Sequence, residues 1–212
     1  MATSWISPND ALRLLREGCE RFASHSSIHP NRGQNRRSDT SLGGQHPYVS
    51  ILACSDSRVP VEVICDAGIG DIFVVRVAGN VAGPSQLGSI EYAVEHLSVP
   101  VFVVMAHSDC GAVASVVHKG ILPGNISSLS QKIHPAIQQV RTNWPNLTND
   151  QLVDAVAKQN MWNAIEDSFK LSPIIRYRTR NGSLKVVGAF YDIESGIVTW
   201  MGPHPQQEHF TQ

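Results

Sequence analysis

Four stretches of this chain are apolar almost without interruption: Tyr48 to Ala53, Ile72 to Val77, Val99 to Ala106 and Leu184 to Tyr191. A strand with one wet face alternates polar and apolar residues, whereas runs like these bury both faces, as in a parallel sheet covered by helices on each side. The segments between the runs supply those helices. Gln86 to Leu97 carries Leu87, Ile90, Tyr92, Ala93, Val94 and Leu97 as its apolar set, Val59 to Cys65 and Gly111 to His118 read as short helices, and Ser128 to Val140 and Asn149 to Lys170 as long ones. After the turn Glu194-Ser195-Gly196, the run Ile197 to Met201 reads as a hairpin partner for the last strand. The expected fold class is α/β: a mainly parallel central sheet flanked by helices, with an antiparallel edge hairpin near the C-terminus and an N-terminal helical arm.

That arm begins at Pro8-Asn9-Asp10, which opens a helical pattern with Leu12, Leu15, Cys19 and Phe22 on one face and Arg13, Arg16 and Glu20 on the other. His25 to Pro47 is rich in Ser, Asn, Arg, Gly and His and reads as a long loop, with Arg32, Arg36 and Arg37 as solvated or inter-subunit contacts. Neither piece has an obvious partner within a compact α/β unit. Residues 1–47 are therefore expected to form an inter-subunit helix and arm, and residues 48–212 the α/β catalytic domain, one domain overall.

Composition narrows the function. A chain of 212 residues, 42% hydrophobic, is long enough for one substantial core. With 17 Lys and Arg against 18 Asp and Glu, it has no basic excess to suit a nucleic acid or an acidic membrane. Val99 to Ala106 is far shorter than the roughly 20 residues of a membrane-spanning helix, and Met1 to Pro8 lacks the basic-then-apolar pattern of a secretory signal. A cytoplasmic setting is expected, with an organelle or microcompartment left open. Four cysteines are too few for a disulfide scaffold, and Cys19 and Cys65, inside apolar periodic segments, read as buried free thiols.

The other two cysteines lie in Cys54-Ser55-Asp56-Ser57-Arg58 and His107-Ser108-Asp109-Cys110, which follow the first and third apolar runs. Neighbouring parallel strands bring such ends together, where ligands collect in these sheets. Cys54, His107 and Cys110 then offer two thiolates and an imidazole, a donor set that suits zinc. Arg58 can capture the Asp56 carboxylate in a two-point pair. With Asp56 held off the metal, a water takes the fourth place and zinc lowers its pKa to about 7. With Asp56 released, the carboxylate becomes the fourth ligand and closes the site.

The run from Ala53 to Pro60, followed by Gly70-Asp71-Ile72-Phe73-Val74-Val75-Arg76-Val77-Ala78-Gly79-Asn80, Gly88-Ser89-Ile90-Glu91-Tyr92-Ala93-Val94 and His107-Ser108-Asp109-Cys110-Gly111-Ala112, resembles the β-class carbonic anhydrases from about Leu12 to the last hairpin. The resemblance implies reversible hydration of carbon dioxide to bicarbonate and a proton by zinc-bound hydroxide. It makes Cys54, His107 and Cys110 the ligands of one zinc per subunit and Asp56-Arg58 the catalytic dyad. It assigns Gln45 as a substrate-side amide, Phe73, Ala78 and Tyr92 as pocket lining, and Gly111 as a backbone amide near the substrate. It further implies a pocket at a homodimer interface, with Gln45 and Tyr92 supplied by the partner, and an assembly that is either a homodimer or a tetramer. Read without the resemblance, Phe73 and Tyr92 fit an ordinary core and Gln45 a loop. His118, His134, His204 and His209 are candidate proton shuttles that nothing in the sequence separates.

Four positions depart from the family pattern. Val77 replaces an Asn, Ala106 a Gly before the metal-ligating His, Cys19 an Asn in Gly18-Cys19-Glu20-Arg21-Phe22, which touches packing more than chemistry, and Ile51 a Trp that some members use in a bicarbonate pocket that closes the site. The open form is therefore expected at neutral pH. Two other readings share these residues: a carbonyl sulfide or carbon disulfide hydrolase, and a non-catalytic scaffold stabilised by zinc.

Overall fold

The computed structural model describes residues 6–212, and most of the Met1 to Pro8 stretch read for a secretory signal lies outside it. Five strands form one sheet: β1 (Val49–Ala53), β2 (Ile72–Arg76), β3 (Val101–His107), β4 (Lys185–Tyr191) and β5 (Val198–Gly202). Their order is β2-β1-β3-β4-β5. The first four run parallel, and β5 pairs antiparallel with β4, as the uninterrupted apolar runs and the late hairpin demand. The helices are α1 (Pro8–Ala23), α2 (Gln34–Gly43), α3 (Val61–Ile64), α4 (Pro84–Glu95), α5 (Gly111–Lys119), α6 (Ile126–Asn143), α7 (Asn149–Leu171), α8 (Pro173–Arg180) and α9 (Gln207–Thr211). No described helix is long and apolar enough to cross a membrane.

Side-chain alternation along each strand sorts the core into two layers. Leu52, Phe102, Val104, Val186 and Phe190 pack with α4 to α8 on one face. Val49, Ile51, Val101, Val103, Met105 and Val187 pack with α1 and α3 on the other. On the first face α7 lies directly on β4: a Cβ built on Gly188 would stand 2.6 Å from Met161 Cε, so glycine is what permits that approach. Ile51 is fully buried in the second layer, well inside the sheet.

The N-terminal helix corrects one expectation. Its stripe of Ala11, Leu12, Leu15 and Cys19 is buried in this chain's own second layer, so α1 has a partner within the α/β unit. Ser7 caps it by accepting the Asp10 N–H at 3.1 Å, with Pro8 in its first turn. The span from His25 to Pro47 is not all loop either, because it contains α2. That helix has no buried residue and therefore leaves no apolar period to read. It is tied down by Arg36, which donates to the Ile69 carbonyl at 2.7 Å and pairs with Asp71 at 3.1 Å. Arg36 is thus an intrachain contact, where solvent or another subunit was expected. Two helices, α8 and α9, occupy segments for which no element was anticipated. α8 begins where Ser172 accepts the Ile175 N–H, with Pro173 at its first position.

A buried acid locks α1 to the turn after α3. Asp66, its side chain fully buried, accepts from Arg21 Nε at 2.7 Å, from the Ile28 N–H at 3.0 Å and from the His29 N–H at 2.9 Å. Burial alone would raise its pKa, but these donors together pull it below the usual 3.8. A depressed carboxyl contributes stability that is fully present above its unfolded pKa and lost as pH falls through the folded value. Asp66→Asn is expected to lower unfolding free energy by about 2 kcal/mol at neutral pH. In urea titrations the gap from the parent protein should close as pH drops below 3.8; a gap independent of pH would show that the charge is not what stabilises the lock.

Candidate metal centre

Parallel pairing of β1 with β3 places Ala53 opposite Met105, so the residues that follow share one end of the sheet. Cys54 comes directly after β1, His107 is the last residue of β3, and Cys110 is the residue before α5. Their ligand atoms all lie within 4.8 Å of one another, and all three residues are buried. The two sulfurs stand 4.0 Å apart.

The histidine is oriented for a metal. Its Nδ1 lies 2.8 Å from the Ser108 carbonyl oxygen, which can only accept, so Nδ1 carries the proton and Nε2 presents a lone pair. That buried Nε2 has no hydrogen-bond partner. A buried acceptor left open beside two cysteines is what a bound cation would satisfy, and two sulfurs with one imidazole nitrogen fit zinc.

The Cys110 thiol hydrogen-bonds to Cys54 and drives the Cys54 pKa down, while that same bond drives Cys110 up. Burial opposes charge on His107, and the neighbouring Cys54 thiolate outweighs it, raising the imidazole pKa. The Gly79 N–H donates to Cys54 Sγ at 3.3 Å. Gly79 has a φ of 72°, and a Cβ there would stand 2.9 Å from Ile133 Cδ1, so only glycine brings this amide to the sulfur.

Beside the cluster, Arg58 grips Asp56 at both carboxylate oxygens. Nε donates to Oδ1 at 3.0 Å and Nη2 to Oδ2 at 2.8 Å, and the Arg58 backbone N–H adds a third bond at 3.0 Å. The guanidinium holds the Asp56 pKa down to about 2, so the group is a carboxylate at any physiological pH. Arg76 fixes the backbone beneath it, donating to the Cys54 carbonyl at 2.9 Å and the Asp56 carbonyl at 2.6 Å.

The remaining site residues from the sequence fall into two groups. Ala78 opens a 3₁₀ turn next to Gly79, and exposed Gly111 begins α5, both at the metal end. Gln45 is exposed and precedes β1, which puts it beyond the opposite end of a strand about 16 Å long. Phe73 pairs with Ser50, toward that same far end, and packs its ring against half-exposed Tyr92, centroids 6.1 Å apart. Val77 packs partly buried on the first layer and Ala106 is wholly buried there. Among the histidines, His118 and His209 are exposed, His134 has a buried Nδ1 without a partner, and His204 stands edge-on to Trp162. Asp154 and Asn160 were missed. Asp154 accepts the Asp109 N–H at 3.1 Å, and Asn160 Nδ2 donates to the Gly79 carbonyl at 2.7 Å.

Residues 49–198 match the family model described as carbonic anhydrase. The chain belongs to the β-class carbonic anhydrase family. It is 36% identical over 194 residues to Carbonic anhydrase 2 of Mycobacterium tuberculosis, covering 90% of this chain and 91% of that one. It is 34% identical over 196 residues to the carbonic anhydrase of Mycolicibacterium smegmatis, covering 91% and 92%. Among solved structures, a tetrameric β-carbonic anhydrase of the ascomycete Sordaria macrospora superposes with a TM-score of 0.73 at 26% identity, covering 91% of this chain and 98% of that one. As a β-class carbonic anhydrase the chain is a zinc-dependent carbonate dehydratase, and Cys54, His107 and Cys110 are the residues positioned to hold the ion.

Proposed function

We propose that carbon dioxide is hydrated at the carboxyl ends of β1 and β3 with Asp56 and Arg58 as the working dyad. When bound, zinc supplies an acidified water as nucleophile at neutral pH. Asp56, ionised and held by Arg58, accepts the hydrogen of the attacking water and aims its lone pair at the substrate carbon. The Gly111 N–H, at the start of α5, is free to donate to a substrate oxygen. The two-point Asp56–Arg58 pair carries this reading, because it keeps the carboxylate turned away from the three ligands and leaves a fourth position for reaction.

Gln45, Phe73 and Tyr92 belong to this pocket through a second subunit. Their support is their distance from this chain's own metal end, together with the wholly unburied α2 and its Leu42, 92% exposed. A homodimer, pairing further into a tetramer, seats them on the partner's site. Four free thiols support a reducing, cytoplasmic setting.

Stopped-flow measurement on the zinc-loaded protein should show carbon dioxide hydration well above buffer at pH 7–9, and faster than sulfide release from carbonyl sulfide. A rate equal to buffer with zinc bound would leave only a scaffold role. Mixing Gln45→Ala and Asp56→Asn subunits should restore about half of the sites by simple combination in the heterodimer; no restoration would place Gln45 outside the partner's pocket.

A further inference from the structure

Arg58 rests on more than Asp56. Its Nη1 donates to Asp109 Oδ2 at 2.9 Å, and its Nη2 also donates to the Asp109 carbonyl at 2.9 Å. One edge of the guanidinium therefore faces Asp56 and the other faces Asp109. The Asp109 side chain is 79% exposed, so its ion pair is screened and weak. The bond to its carbonyl depends instead on how the Asp109 peptide is turned.

That turn is unusual and tightly held. Asp109 has a φ of 51°, in the left-handed region that side chains other than Gly, Asn and Asp seldom enter. Its N–H donates to Asp154 Oδ1 at 3.1 Å. The preceding residue is pinned as well, since the Ser108 N–H donates to the Tyr191 carbonyl at 2.9 Å and Ser108 Oγ accepts the Ile193 N–H at 2.9 Å. Asp154 sits on α7, whose following turns carry the buried Val156, Ala157 and Met161. Hydrogen bonds thus run without a gap from a core helix through Asp109 and Arg58 to the Asp56 carboxylate.

We propose that Asp154 is a positioning residue for the dyad: by holding the Asp109 N–H it turns the Asp109 carbonyl onto Arg58, which keeps the guanidinium square to Asp56. Asp154 touches neither substrate nor metal ligand in this role. The inference rests on Asp56–Arg58 as the working dyad. Asp154 and Asp109 both line a cavity of about 600 Å³ with His118, Asp192 and Glu194, so shortening Asp154 unpacks no core.

In the zinc-loaded enzyme, Asp154→Ala should lower kcat about five-fold, the factor for one ordinary hydrogen bond, with KM, zinc content and thermal midpoint unchanged. Asp154→Leu, which keeps bulk without an acceptor, should do the same, and Asp154→Asn, whose Oδ1 still accepts, should restore the rate. In an Arg58→Ala background, Asp154→Ala should cause no further loss. By NMR the Arg58 Nε–H should exchange with water faster in Asp154→Ala. The same five-fold loss in both backgrounds, or unchanged kcat and exchange, would overturn the proposal. Should Arg58→Ala alone leave kcat intact, the dyad reading itself fails; a slow Arg58→Ala beside a normal Asp154→Ala removes only the role of Asp154.

Discussion

Replacing Cys110 with alanine is expected to yield a folded protein that no longer retains zinc and hydrates carbon dioxide no faster than buffer. Cys110 is 1% exposed, and its sulfur faces Cys54 across 4.0 Å. Removing it leaves one sulfur and one imidazole, too few donors for a tetrahedral ion with a reactive fourth position. No other cysteine can stand in, because Cys19 and Cys65 are buried in the opposite layer of the sheet. Outer-sphere partners of metal ligands are worth about 10–100-fold in affinity, so loss of a ligand itself should cost more than about a hundred-fold. Zinc per subunit after gel filtration and stopped-flow turnover check this together. A Cys110→Ala protein with full zinc and parental turnover would exclude Cys110 from the ligand set.

Asp56→Asn separates chemistry from metal binding. An Asn side chain keeps the shape of the carboxylate but not its charge, so it loses the two-point pair with Arg58 and no longer holds the nucleophile's hydrogen in a fixed direction. Misplacing a reacting group by about 1 Å can cost about 10²-fold. Turnover should therefore fall about a hundred-fold, while zinc per subunit stays at the parental value because Asp56 is outside the ligand cluster. Zinc and turnover lost in equal proportion would mean that Asp56 acts as a permanent ligand, contrary to the arrangement in which Arg58 holds it.

How far the sequence reached depends on how locally each feature is encoded. The parallel sheet was legible because runs such as Val101 to Ala106, buried at every residue, have no polar positions that another fold could expose. The metal cluster was legible because its members close two adjacent strands, and strand ends carry short dense motifs. The helix α2 was not, since a helix with no buried residue leaves no apolar period. The burial of α1 was missed for a different reason. Its stripe was plain, but nothing local says which surface a stripe will cover. Asp154 and Asn160 lie 45 and 81 residues from the atoms they hold, in the middle of a long helix where a polar side chain looks like any solvated position. Arg76 gave a usable sign, a lone charge ending an apolar strand, and that charge turned out to staple the backbone on either side of Ser55.

The close seat of α7 on Gly188 has a consequence for how the chain can change in length. Met161 is locked over that glycine, while Asp154 and Asn160 on the same helix reach to the turns at Asp109 and Gly79. One residue inserted between Asp154 and Asn160 would swing one end of the helix by about 100° relative to the other. Asn160 moves with Met161, so either the core contact and the hold on the Gly79 turn or the hold on the Asp109 turn would then be lost, with every ligand and dyad residue still present. Insertions and deletions should thus be accepted in the connections at 120–125 and 144–148 and rejected within that stretch of helix, which acts as a ruler between the middle of the sheet and its reactive end.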